Sequence, residues 1–163
     1  MILYLMRHGI AEDISSTGRD ADRVLSTKGT LRTAMVARAL GRMELTFDRI
    51  ISSPYARARQ TAEIVARVTS FGDEIMFDER IVPHAGFDEF CDMLRENDEA
   101  GSMLIAGHEP SMSRFISGLC AGEHLMIDVK KASVTAIELM RFRPQPAGAL
   151  LWSLPPRVFD SVA

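Results

Sequence analysis

The chain has 163 residues, 47% of them hydrophobic and 25% charged, with 19 basic against 22 acidic side chains and a net charge of −3. That balance suits one globular domain with a real core and argues against bulk affinity for nucleic acid or a membrane surface. No stretch reaches the ~20 consecutive apolar residues of a membrane span. The chain enters its first apolar run without a basic leader or cleavage site, so a cytoplasmic location is expected.

The first element is that run. Ile2, Leu3, Leu5 and Met6 read as a buried strand that ends abruptly in Arg7, His8 and Gly9. A core has no use for an adjacent Arg and His, whereas open α/β sheets bind ligands at the carboxyl ends of their strands. Gly9 is expected to let the backbone turn away and leave the imidazole uncovered. Residues 10–24 are mostly polar and read as a long surface loop of the kind that carries function. Ser26 then caps a helix running to about Met43, with Leu31, Met35, Ala39, Leu40 and Met43 along one face.

A short strand is expected at Arg49 to Ser52, and Ser53-Pro54 opens a helix, proline being suited to a first turn. That helix, about Tyr55 to Val68, turns Ala58, Ala62 and Val65 inward. After the turn at Phe71-Gly72-Asp73, Glu74 to Phe77 predicts another short strand, followed by a loop over 78–87 and an amphipathic helix from Asp88 to Asn97 through Phe90, Cys91 and Leu94. Ser102 to Ala106 is an apolar strand closed by Gly107-His108-Glu109-Pro110. A helix from Ser111 to Leu119 and strands at Ala132 to Met140 and Leu150 to Leu154 complete the chain. Strands alternating with helices call for a largely parallel sheet covered on both faces, with at least one antiparallel strand from the closing pair. The expected fold is a single three-layer αβα domain over residues 1–163.

Three strand ends or strand-to-helix junctions therefore carry unusual polar residues: Arg7 and His8, then Arg57, then His108. In a parallel sheet they share one edge, where helix N-termini also favour anions. Two arginines and two histidines make a pocket for a dianion, most simply a phosphoryl group, because the planar guanidinium holds phosphate oxygens in pairs. Taken singly, Arg7-His8 could close a salt-bridged turn, Arg57 could be a solvated helix residue and His108 could cap a helix; their joint registration is what promotes them. There is no lysine-containing glycine loop for a nucleotide and no DxD-like carboxylate cluster, and Glu12-Asp13 has no evident partner, so neither a metal nor another cofactor is expected. Cys91 and Cys120 form no CxxC pair, and neither has an arginine six positions downstream, which excludes the cysteine-phosphatase loop. The remaining route to phosphoryl chemistry is a protein nucleophile, and a neutral His8 imidazole can attack phosphorus and leave again. His84 and His124 read as turn or surface histidines, Lys130-Lys131 as a solvated turn, and Ser111 and Ser133 show no activation as nucleophiles.

With these residues the chain resembles the histidine phosphatase superfamily, the phosphoglycerate-mutase-like group marked by an RHG motif. LMRHG at 5–9, SSPYARARQTA at 52–62 and AGHEP at 106–110 match in order, and Leu25, Ser26 and Gly29 match the family's helix entry L-[ST]-x-x-G. The resemblance implies the phosphoglycerate-mutase-like fold, His8 as the phosphorylated nucleophile, and Arg7, Arg57 and His108 as its phosphate clamp; Arg59, two positions on from Arg57, lies outside it. The short connection between Phe77 and Ser102 most resembles the SixA-type phosphohistidine phosphatases. It implies a pocket without a helical roof, and hence a substrate presented on another protein, such as a histidine phosphotransfer domain or a carrier. The alternative is a small-molecule phosphomonoesterase of the same superfamily. Larger relatives place a proton-donating carboxylate after the third strand, and Glu79 resembles that position.

Overall fold

Leu3 and Leu5 point to one side of the first strand and Tyr4 and Met6 to the other, and all four are buried. A strand covered on both faces belongs in the middle of a sheet flanked by helices. The computed structural model, which describes residues 1–122 and 124–159, builds that arrangement. In chain order it contains β1 (Ile2–Arg7), α1 (Thr27–Arg42), β2 (Arg49–Ser52), α2 (Ala56–Val68), β3 (Met76–Phe77), α3 (Phe87–Glu96), β4 (Ser102–Gly107), α4 (Ser111–Ala121), β5 (Val134–Arg141), β6 (Ala147–Leu154) and α5 (Pro156–Phe159). Single 3-10 turns occur at Asp20–Asp22 and Glu79–Ile81.

The sheet runs β3-β2-β4-β1-β5-β6. β1, β2, β3 and β4 are mutually parallel, and β5 is antiparallel to both β1 and β6. One strand, β5, thus runs against the rest. Two apolar layers flank the sheet. Tyr4, Met6 and Leu104 pack with Val36, Leu40, Ala62 and Val65 of α1 and α2. Leu3, Leu5 and Ile105 pack with Phe90, Leu94 and Phe115 of α3 and α4, where the Phe90 and Phe115 rings stack at 3.9 Å. The expected three-layer α/β architecture is the one observed.

Several expected boundaries move. β6 begins at Ala147 rather than Leu150, because it pairs with β5 as far as Arg141. Strand β3 is reduced to the two residues that pair with Ile51 and Ser52. Pro54 stands ahead of the cap, which is Tyr55, so the proline precedes the helix instead of sitting in its first turn. The turn at Asp20–Asp22 and the short α5 are not foreseen by periodicity.

The face of α1 needs the largest correction. Of the expected face, Ala39 and Leu40 are buried, alongside Gly29, Thr33, Val36 and Ala37, whereas Leu31 is 64% exposed and Met43 is also exposed. The rotation follows from one backbone approach. Ser26 donates its amide to the Ile10 carbonyl at 2.9 Å and accepts the Gly29 amide on its hydroxyl at 3.0 Å. A Cβ on Gly29 would lie 1.8 Å from the Ile10 carbonyl oxygen. The first turn of α1 therefore rests directly on the chain leaving β1, and 29, 33, 36 and 40 share its inner stripe.

Replacing Gly29 by alanine is expected to cost at least about 2 kcal/mol, because the clash is with backbone and cannot be relieved by a rotamer change. Urea unfolding of Gly29→Ala, compared with Gly41→Ala, where a Cβ meets nothing within 4 Å, checks this.

Candidate active site

Strand register brings the histidines together. Arg7 is level with Gly107 in the parallel β1–β4 pair, so the residues that follow, His8 and His108, leave the sheet side by side. The His8 amide donates to the Gly107 carbonyl at 3.0 Å, and the two imidazole centroids are 5.0 Å apart. Both rings are enclosed, His8 at 7% exposure and His108 at 1%. Ser52 pairs with Ala106 across β2–β4, which delivers Ser53 and the start of α2 to the same edge.

Each of the four predicted residues is placed there. His8 Nδ1 lies 2.7 Å from the Gly9 carbonyl, which can only accept, so Nδ1 carries the proton and Nε2 carries the lone pair. Arg57, 4% exposed on the second residue of α2, donates from Nε to that His8 Nε2 at 3.2 Å. The ring of Tyr55 lies 5.3 Å from the Arg57 guanidinium carbon and meets His108 edge-on at 5.2 Å. His108 Nε2 shares a 2.8 Å hydrogen bond with the Ser53 hydroxyl, and its Nδ1 is buried with no partner among the described residues. Arg7 donates from one terminal nitrogen to the Val129 carbonyl at 2.7 Å, and its Nε is likewise buried and unpartnered.

Three further residues complete the constellation without being anticipated as parts of it. Thr61 accepts the Gly9 amide at 3.1 Å and donates to the Arg57 carbonyl at 2.7 Å, tying the end of β1 to the first turns of α2. Its signals in the sequence are membership of the 52–62 segment and its position four residues after Arg57 on a helix, where a threonine hydroxyl reaches back to the i−4 carbonyl. Ser53 orients His108. Asp20, from the 3-10 turn in the long polar loop, accepts two hydrogen bonds from Arg57, at 2.7 Å on its carbonyl and 2.9 Å on its carboxylate, while Arg23 holds its other carboxylate oxygen at 2.9 Å. No periodicity places a loop aspartate on a helix arginine across that distance in sequence.

Gly9 serves by close approach: its φ is unremarkable, and a Cβ there would lie 2.4 Å from the Thr33 hydroxyl. Glu79 lies outside the cluster. It is exposed and lines a cavity of about 210 Å³ with Arg59 and Tyr55, while its neighbour Arg80 pairs with Asp78 and Glu96. Arg59 faces Glu63 at 3.6 Å, away from the clamp. The stretch between Phe77 and Ser102 spends its helix on the core, where Phe90, Cys91, Met93 and Leu94 of α3 are all buried. His84 and His124 are exposed. Among the described residues no group of three or more His, Cys, Asp or Glu side chains is arranged to hold a metal ion, and no helix is long and apolar enough to cross a membrane.

The electrostatics favour a neutral, nucleophilic imidazole. Burial pushes His8 down to about 3; the Gly9 carbonyl opposes this, and the charges of Arg57, Arg7 and Lys131 reinforce it. Burial likewise lowers His108 to about 2, with His8 and Arg57 adding to the effect. For Asp20 burial alone would raise the carboxyl, but the hydrogen bonds from Arg23 and Arg57 hold it below the usual range. The cluster is a buried cationic site with an available imidazole lone pair, a chemistry that suits displacement at an anionic phosphorus centre.

The comparisons with known proteins point the same way. Residues 3–82 match the model of the histidine phosphatase superfamily (branch 1). An uncharacterised protein of Picosynechococcus is 34% identical over 142 residues, covering 84% of each chain. The phosphohistidine phosphatase SixA of Escherichia coli is 28% identical over 126 residues, covering 76% of each. A structure of the protein histidine phosphatase SixA complexed with tungstate superposes with a TM-score of 0.87 at 23% identity, over 97% of this chain and 99% of that one.

The lowered histidines set a pH dependence of stability. Below about pH 6.5 the unfolded chain binds protons that the folded chain refuses, so stability falls as the pH drops from 6.5 toward 4 and is unaffected by these groups above 7. Each histidine contributes a slope of up to about 1.4 kcal/mol per pH unit. Urea unfolding at pH 7, 6 and 5 is expected to show the loss, and His8→Asn is expected to flatten it by roughly one proton's worth.

Proposed function

The chain belongs to the histidine phosphatase superfamily, and we propose that within it this phosphatase hydrolyses phosphohistidine on a protein, through a phosphoryl group carried on His8. The observation that supports this most directly is the lone pair of His8 Nε2, held on the Arg57 guanidinium beside the His108 ring. The unpartnered buried nitrogens of Arg7 and His108 are what a bound oxyanion would satisfy. The SixA structure of the same fold was obtained with tungstate, a tetrahedral oxyanion of phosphate-like shape.

In the first step the His8 Nε2 lone pair forms a bond to phosphorus while the substrate's N–P bond breaks, and that electron pair stays with the leaving imidazole. Protonated at its far nitrogen, the imidazole departs neutral and needs little help from a general acid. Arg7 and Arg57 neutralise the charge on the equatorial oxygens, and Arg57 Nε exchanges its hydrogen bond to His8 for one to the phosphoryl group. In the second step water attacks phosphorus, the N–P bond to His8 breaks, the lone pair returns to Nε2, and the water proton passes to the released phosphate. No step uses a metal ion.

The position of Glu79 supports a phosphohistidine substrate over a phosphomonoester. An alkoxide leaving group calls for a proton donor at the reacting centre, and Glu79 is exposed in the neighbouring cavity. The helix between Phe77 and Ser102 packs its buried face into the core, and this short connection supports a substrate displayed on another protein. Delivery of that protein in the cytoplasm is part of the same reading.

The test is a substrate panel. Phosphate release from a phosphorylated histidine phosphotransfer domain is expected to exceed release from sugar and nucleotide monophosphates, and His8→Ala is expected to reduce it by at least about a thousandfold. Glu79→Gln is expected to leave phosphohistidine hydrolysis unchanged. A loss of about a hundredfold in that variant would identify Glu79 as the acid and turn the assignment to a phosphomonoesterase. An acid-labile, base-stable phosphoryl adduct in rapidly quenched enzyme would locate the intermediate on histidine.

A further inference from the structure

Because β5 is antiparallel to β1 and β6 is parallel to it, the start of β5 and the end of β6 reach the sheet edge that carries His8 and His108. There, between α1 and α5, lies a cavity of about 460 Å³ lined by Arg32, Lys130, Ser133, Pro155, Pro156 and Arg157, among others. Among the described residues, two cations of this lining, Lys130 and Arg157, stand beside one carboxylate, Asp128, which is paired with Lys130, on a chain whose overall charge is −3. The proline walls lower the local dielectric and strengthen the positive field inside.

Ser133 points to a ligand independently of the charges. It lines the cavity at 3% exposure, and its hydroxyl has no hydrogen-bond partner among the described residues. A buried unpaired hydroxyl costs free energy that a bound acceptor would recover. The cavity also adjoins the clamp: the Ser133 carbonyl accepts the Arg7 amide at 3.2 Å, and the Val129 carbonyl accepts the Arg7 side chain. At this size it lies within the usual range for ligand pockets and is too large for a lone oxyanion.

We infer that this cavity is a docking pocket for carboxylate side chains that flank the phosphohistidine on the substrate protein. The inference rests on the phosphoprotein reading above and names what that protein must carry: an acidic segment beside the modified histidine, within reach when its phosphoryl group meets Arg7. Lys130 and Arg157 attract the carboxylates, and the Ser133 hydroxyl donates to one of them.

Kinetics on two substrates test it. In the double variant Lys130→Glu/Arg157→Glu, the KM for a phosphorylated histidine phosphotransfer domain with acidic flanks is expected to rise by about tenfold or more. Its kcat and the hydrolysis of free phosphohistidine stay unchanged. Equal losses on both substrates, or no change on either, would overturn the proposal. Binding is then followed without chemistry, by titrating the amide resonances of the wild-type protein with an unphosphorylated Asp/Glu-rich peptide. Saturable shifts at Lys130, Ser133 and Arg157 that weaken in Ser133→Ala support the pocket, whereas shifts elsewhere or none overturn it. Inorganic phosphate shifting the same amides while the peptide is silent would assign the pocket to a free anion and overturn the peptide assignment. Peptide binding there by an enzyme that releases no phosphate from the phosphodomain would refute the proposed activity and leave the pocket standing.

Discussion

Everything at this site depends on the register of three parallel strands. Pairing Arg7 with Gly107 puts His8 next to His108, and pairing Ser52 with Ala106 brings the start of α2, and hence Arg57, to the same level. A slip by one residue would turn every side chain of the strand to the opposite face, and with both faces packed the core does not permit it. Leu3 and Leu5 are committed to one apolar layer and Tyr4 and Met6 to the other. The geometry of the reactive groups is thus held by burial of the strands behind them, and the groups themselves contribute little to it.

That division of labour matters because the cluster is costly. Two histidines are buried neutral, two arginines are buried or half-buried, and two ring or guanidinium nitrogens lack partners among the described residues. Desolvation on this scale is tolerated only where the surroundings over-determine the arrangement. Thr61 and Asp20 are part of that over-determination: one ties Gly9 to the backbone of Arg57, the other holds the Arg57 guanidinium in a fixed direction. With Asp20 and His8 both engaged, all three donor nitrogens of Arg57 have partners within the protein. In the proposed reaction a phosphoryl group exchanges hydrogen bonds with Arg57, whose carboxylate partner Asp20 is already in place.

The alternation of elements, the three-layer architecture and the four residues at the sheet edge were legible in the sequence, because each rests on a local signal. Apolar runs end in Arg-His-Gly and Gly-His, serine and proline mark helix entries, and parallel pairing carries those ends to one side. Less legible was whatever depended on tertiary contact. The face of α1 is decided by the approach of Gly29 to Ile10, so of the stripe expected from helical period Ala39 and Leu40 face the core while Leu31 and Met43 face solvent. Glu79 sits in a segment of the right sequence, yet the 3-10 turn at Glu79–Ile81 buries Ile81 and leaves the carboxylate outside. Asp20 belongs to a loop with no periodicity, and only the folded chain shows it on Arg57.

One hydrogen bond, between His8 Nδ1 and the carbonyl of the very next residue, has a regiochemical consequence. An imidazole offers two nitrogens to an electrophile, and free histidine can be modified on either. Here one of them is committed, within a single peptide unit, to donating a proton, so Nε2 alone can form a new bond. For the phosphoryl carrier proposed at His8, the choice between two constitutional isomers is made by adjacent residues at the end of a buried strand, ahead of any contact with substrate.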